Sequence, residues 1–171
     1  MSNEANTVYQ TPKEEGTLIP EAIKNFCNGQ DLRSKLNGAI RLSTVDEDGW
    51  PHAAMLSAGE VLTTKAGTFS IAIWPGSSTA KNLVRDGRMT ITLPGDGGLY
   101  EIRLKAEALD DQSTKAPLKV FSARVLNVKK HAAAYADVAS GVTFQIRDGQ
   151  EEEVLRRWQG QIDLLRATET K

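Results

Sequence analysis

Ser77-Ser78-Thr79-Ala80-Lys81-Asn82-Leu83 is the run in this chain best suited to chemistry, because it sets three hydroxyls and one ammonium directly after a strand-like stretch that ends at Trp74-Pro75-Gly76. Ser77 or Ser78 is a favourable N-cap, so the run predicts a helix through Asp86 with Ala80, Leu83 and Val84 as its apolar face. The start of a helix leaves backbone N–H groups without intrahelical partners, and a lysine beside them makes a place to hold an anion such as a phosphate. Taken alone, the three residues Thr79-Ala80-Lys81 also read as an ordinary capped surface helix with a solvated lysine. Their position after a strand and a tight turn favours a phosphate or nucleotide site, with Lys81 as its main cation.

The elements that must position this run are strands. Ile40, Leu42 and Thr44 alternate with Arg41 and Ser43, the period of two expected of a half-buried strand. Asp46-Glu47-Asp48-Gly49 supplies a turn, and Pro51 can open a second strand that runs through His52 to Ser57, so the two form a hairpin. Thr68 to Trp74 is a further strand, ended by Pro75-Gly76. Arg88 to Leu93, Tyr100 to Ala108 and Phe121 to Val128 alternate in the same way, and Thr143 to Arg147 is a candidate short last strand. A short helix is expected from Pro20 to Cys27, a further turn over Asp31 to Leu36, and partial helix from His131 to Val138. At the C-terminus Asp148 and Glu151 have capping-box spacing, Glu152/Arg156 and Glu153/Arg157 are i,i+4 pairs, and Val154, Leu155, Trp158, Ile162 and Leu165 form one apolar stripe.

About six antiparallel strands with few helices point to a mainly β fold, a barrel with peripheral helices, since closure removes exposed sheet edges. With 171 residues the chain suits one barrel domain over 18–171, preceded by a flexible N-terminal arm over 1–17 that is poor in apolar side chains. The 21 basic and 22 acidic residues nearly cancel, which gives no steering toward nucleic acid or an anionic membrane. No apolar run is long enough for a membrane span and the polar start lacks signal-peptide chemistry, so a soluble, cytoplasmic protein is expected. Cys27, the single cysteine, reads as a half-buried thiol at a helix end with no catalytic role. With His52 and His131 as the two histidines, a zinc site is rejected. His131, next to Lys129-Lys130, reads as solvated; His52 is a structural residue or a contact at the mouth of a barrel site. Ser43 and Ser57 lie on strands, which disfavours a hydrolytic triad.

The stretch Leu42-Ser43-Thr44-Val45-Asp46-Glu47-Asp48-Gly49-Trp50-Pro51-His52, continuing through Trp74 and Thr79-Ala80-Lys81-Asn82-Leu83 to Arg88, resembles the pyridoxamine 5′-phosphate oxidase-like, FMN-binding split-barrel proteins. The resemblance implies a six-stranded antiparallel split barrel, a homodimer with flavin at the subunit interface, and oxidoreductase chemistry on a small-molecule substrate or electron donor. By position it implies cofactor contacts from the strand segment Ala54, Met55, Leu56 and Ser57, from Trp74 and Pro75, and from Thr79, Lys81 and Asn82. No catalytic acid or base is assigned. The vitamin B6 oxidases carry an arginine and a lysine where this chain has Ala54 and Gly59, and the residues that hold their substrate near the C-terminus are missing, so that particular activity is not expected. Arg41, Arg85 and Arg88 are candidates to compensate. The alternatives on the same fold are a non-catalytic cofactor-binding or sensing protein, and a binder of haem or the deazaflavin F420.

Overall fold

A computed structural model describes residues 11–109 and 117–169. The chain runs β1 (Lys13–Gly16), α1 (Glu21–Phe26), a 3-10 turn (Leu32–Lys35), β2 (Ile40–Val45), β3 (Pro51–Leu56), β4 (Val61–Thr63), β5 (Phe69–Ile73), α2 (Ser78–Arg85), β6 (Arg88–Gly95), β7 (Gly98–Ala108), β8 (Lys119–His131) and α3 (Glu151–Glu169). All eight strands belong to one antiparallel sheet in the order β3-β2-β6-β7-β8-β5-β4, with β1 added to β8. The sheet curls without pairing its end strands β3 and β4, the open seam of a split barrel.

The hairpin β2–β3 shows how local sequence sets register. The Asp46 carboxylate accepts from the amides of Asp48 (3.1 Å) and Trp50 (2.7 Å), and Gly49 takes a φ of 86° that other residues resist. Val45 then pairs with Pro51, and Leu42 with Ala54. Proline is tolerated there because β3 is an edge strand. Between β6 and β7, Asp96 (φ 50°) and Gly97 (φ 74°) form a two-residue turn with both φ positive, the geometry that matches strand twist.

Inward positions of the strands fill the barrel: Ile40, Leu42, Phe69, Ile71, Ile91, Ile102, Leu104, Phe121 and Val128 are buried, with Ile23 of α1 closing one end. A second cluster lies outside the barrel, where Trp158, Ile162 and Leu165 of α3 pack on Ala58, Leu62, Ala72 and Val120. The expected C-terminal stripe is therefore the face that α3 buries.

Two strands were absent from the sequence reading. Lys13–Gly16, inside the expected arm, pairs with β8, and Glu14 is tied there by Lys129 (3.0 Å) and by the Asn127 amide (2.6 Å). Val61–Thr63 is too short to show a period of its own. Residues 1–10 lie outside the described residues. Thr143–Arg147 is not a strand; it makes a single bridge, Gly38 to Thr143. His131 ends β8, and the span to Val138 is not helical. The capping-box expectation also fails: α3 begins at Glu151, so Asp148 stands two residues before the N-cap position. Glu151 and Glu152 instead face Arg33 of the 3-10 turn, at 3.9 and 2.5 Å.

Candidate functional site

The Ser77-to-Arg85 run folds as expected, and hydrogen bonds show why. Ser77 is the N-cap: its hydroxyl oxygen accepts from the Ala80 amide (3.1 Å) and its O–H donates to the Trp74 carbonyl (2.7 Å). The Lys81 amide already donates to the Ser77 carbonyl (3.2 Å). The amides of Ser78 and Thr79 make no hydrogen bond among the described residues, so they are the pair left for an anion.

One face of α2 packs against the barrel and the other looks outward. Thr79, Ala80, Asn82 and Leu83 are buried; Ser78, Lys81, Val84 and Arg85 are exposed. Lys81 has no hydrogen-bond or ion-pair partner among the described residues, which leaves its ammonium available beside the free amides. Trp74 and Val84 are each 60% exposed.

Asn82 bonds inward. Its side-chain N–H donates to Thr44 Oγ1 (3.0 Å) and its oxygen accepts from Arg85 Nη1 (3.2 Å). Arg85 in turn donates to the Val45 carbonyl. This chain of bonds ties α2 to the end of β2, so Asn82 holds the helix in place. Arg88 is likewise engaged, gripping both oxygens of Asp86 at 2.6 Å; the guanidinium holds that carboxyl down at about 2. Of the three arginines considered as compensating cations, Arg41 alone has no bonding partner among the described residues.

The β3 segment divides by alternation. Ala54 packs against the barrel core and Leu56 is part of it, while Met55 points outward and is exposed. Ser57 is buried, with its N–H and O–H both donating to Glu60 Oε2 at 2.7 and 2.8 Å. Pro75 is exposed beside Trp74. Gly59, where the oxidases carry lysine, lies under α3: a Cβ there would come within 2.5 Å of Trp158 Cβ and Cγ and 2.7 Å of its Cα. The helix occupies the space a longer side chain would need.

The remaining candidates fall into place plainly. Cys27 is fully buried, and desolvation pushes its thiol up to about 12, which keeps it protonated and unreactive. His131 is half-buried against Glu101 at 3.0 Å rather than solvated. Among the described residues no group of three or more His, Cys, Asp or Glu could hold a metal ion. No helix among them is long and apolar enough to cross a membrane. Sequence reasoning passes over Glu60 and Gln161, which meet only through folding, in a cavity of about 330 Å3 lined also by Ser57, Phe144, Arg157 and Trp158.

The chain matches no protein-family model. It is 37% identical over 149 residues to YclD of Bacillus subtilis (strain 168), described as an uncharacterized protein, covering 86% of this chain and 96% of that one. A Lactobacillus delbrueckii protein carried under the provisional name pyridoxamine 5′-phosphate oxidase superposes with a TM-score of 0.51 at 19% identity, covering 68% of this chain and 98% of that one. A HupZ variant from Group A Streptococcus superposes with a TM-score of 0.53 at 16% identity, covering 67% and 100%. At these identities the two structures share the fold.

Proposed function

We propose that the chain, which shares the split-barrel fold of these structures, is a member of the pyridoxamine 5′-phosphate oxidase-like, FMN-binding family and an FMN-binding oxidoreductase acting as a cytoplasmic homodimer on a small molecule. The observation that carries this reading is the start of α2: two unpartnered amides, of Ser78 and Thr79, with the unpaired ammonium of Lys81 on the next turn. That donor set suits a phosphate monoester, since amide dipoles and an ammonium act together on the same oxygens. Trp74 and Pro75 would border the ring or ribityl chain, and the backbone of Ala54 to Ser57 would lie along the ring. Asn82 and Thr79 act from beneath, keeping α2 seated on the barrel. FMN supplies the capacity to accept and return hydride or single electrons; the protein supplies binding, orientation and exclusion of water. The exposed apolar side chains of Trp74, Val84 and Met55 support a second copy as a partner.

A second reading, a cofactor-binding or sensing protein without turnover, draws support from Gly59 and Ala54. With α3 seated on Gly59 and a methyl group at Ala54, two cationic contacts are replaced by packing, each such contact being worth about 1.5–3 kcal/mol. One titration separates the readings. FMN added to the purified chain should lose fluorescence as it binds, and Lys81→Ala should weaken binding at least about tenfold, or ~1.4 kcal/mol. Absence of binding at high micromolar FMN, with binding of F420 or haemin in parallel titrations, would replace flavin as the cofactor. Bleaching of bound flavin by NADH or NADPH distinguishes an enzyme from a binder.

A further inference from the structure

A cavity lies between α3, the segment before it and the Ser57–Glu60 turn, and no residue of α2 lines it. Half of its lining residues are apolar, namely Phe144, Ile146, Val154 and Trp158, with Phe144 set edge-on to Trp158 at 6.5 Å between ring centroids. Its polar groups come from two parts of the chain, Ser57 and Glu60 after β3 and Arg157 and Gln161 on α3. Glu60 is fixed by Ser57, whose N–H and O–H both bond to Oε2; Oε1 has no partner among the described residues. Gln161 Oε1 is buried and has no hydrogen-bond partner among the described residues. A buried acceptor left unmatched costs stability in the empty protein, and a ligand N–H would recover it.

We propose that this cavity binds a planar cation rich in N–H donors on a small apolar body, such as an amidine, a guanidine or an aminated heterocycle. Glu60 and Gln161 line one cavity, and a carboxylate beside a carboxamide calls for a donor with at least two N–H groups, which a delocalised cation offers in one plane. The aromatic walls suit the flat body of such a molecule, and a cavity of about 330 Å3 falls at the small end of ligand sites. Arg157 also lines the cavity, but it is exposed, so water screens its repulsion. The segment that supplies Phe144 and Ile146 is joined to the residues before β2 by Ala39 N–H to the Val142 carbonyl (3.2 Å) and Phe144 N–H to the Asn37 carbonyl (3.1 Å). This site goes beyond the flavin reading and stands apart from it; Ser57 alone belongs to both residue sets.

Calorimetric titration of the full chain with benzamidine, without flavin, tests the assignment. Benzamidine should bind saturably, at least tenfold more tightly than benzamide, with benzoate giving no heat of binding. Glu60→Gln and Gln161→Leu, each shown folded by an unchanged thermal transition profile, should each weaken benzamidine at least fivefold, and Arg157→Gln should tighten it. Benzamide binding as well as benzamidine would overturn the proposal, as would full affinity in either folded variant. Because no flavin is present, failure here leaves the flavin reading intact, and failure of FMN to bind leaves this site untouched.

Discussion

Replacing Asn82 by alanine separates holding the helix from holding a ligand. Asn82 is 4% exposed and Thr44, its partner, 3%; the variant removes the amide bonds to Thr44 and Arg85. A neutral hydrogen bond contributes about 1 kcal/mol net, and a buried hydroxyl left without its donor costs about 1 kcal/mol more. The bond from Arg85 adds about 1 kcal/mol, since water replaces part of it at that exposed guanidinium. The sum, about 3 kcal/mol, corresponds to a fall in Tm of about 6–12 °C for a chain of this size. Urea unfolding followed by tryptophan fluorescence, with scanning calorimetry in parallel, measures it on the cofactor-free protein. Lys81→Ala is the control: an exposed, unpaired side chain should change stability by less than about 0.5 kcal/mol. A loss below 1 kcal/mol in Asn82→Ala, or an equal loss in both variants, would refute the assignment of Asn82 to the α2–β2 bond chain.

Three other outcomes follow from the same packing. Gly59→Ala forces a methyl group into Trp158 and should destabilise by about 3 kcal/mol, the upper end for overpacking; a change within experimental error in urea melts would show that α3 is not seated as described. Cys27, pushed up to about 12 when folded from an ordinary value near 9, favours the folded state fully below pH 9, and that contribution disappears as pH rises toward 12. Cys27→Ala should therefore lose less stability than the parent across that alkaline window, and a thiol reagent should label Cys27 only on unfolding. Asp86 has the opposite sign: held down at about 2 by Arg88, it adds stability above about pH 4 that fades as pH falls toward 2. The difference in urea midpoint between the parent and Asp86→Asn should narrow over that acid range, and a constant difference would count against the ion pair.

What the sequence determined by itself was whatever depends on near neighbours. Alternation at Ile40 to Thr44 and Tyr100 to Ala108, the Asp46 turn, the Ser77 cap and the stripe on α3 are local patterns, and each recurs in the fold because backbone period and turn chemistry act over a few residues. Lys81 at the exposed start of a helix was legible for the same reason. The short strands β1 and β4 were not, since four and three residues hold too little period and form only where β8 and β5 offer an edge. Asn82 looked like a ligand contact because sequence does not say which side of a helix meets the barrel. Gly59 looked like a lost cation until α3, about a hundred positions away, proved to fill its space. Glu60 and Gln161 share a cavity only because the barrel and that helix close on each other; long-range packing alone decides which distant groups meet, and no spacing along the chain encodes it.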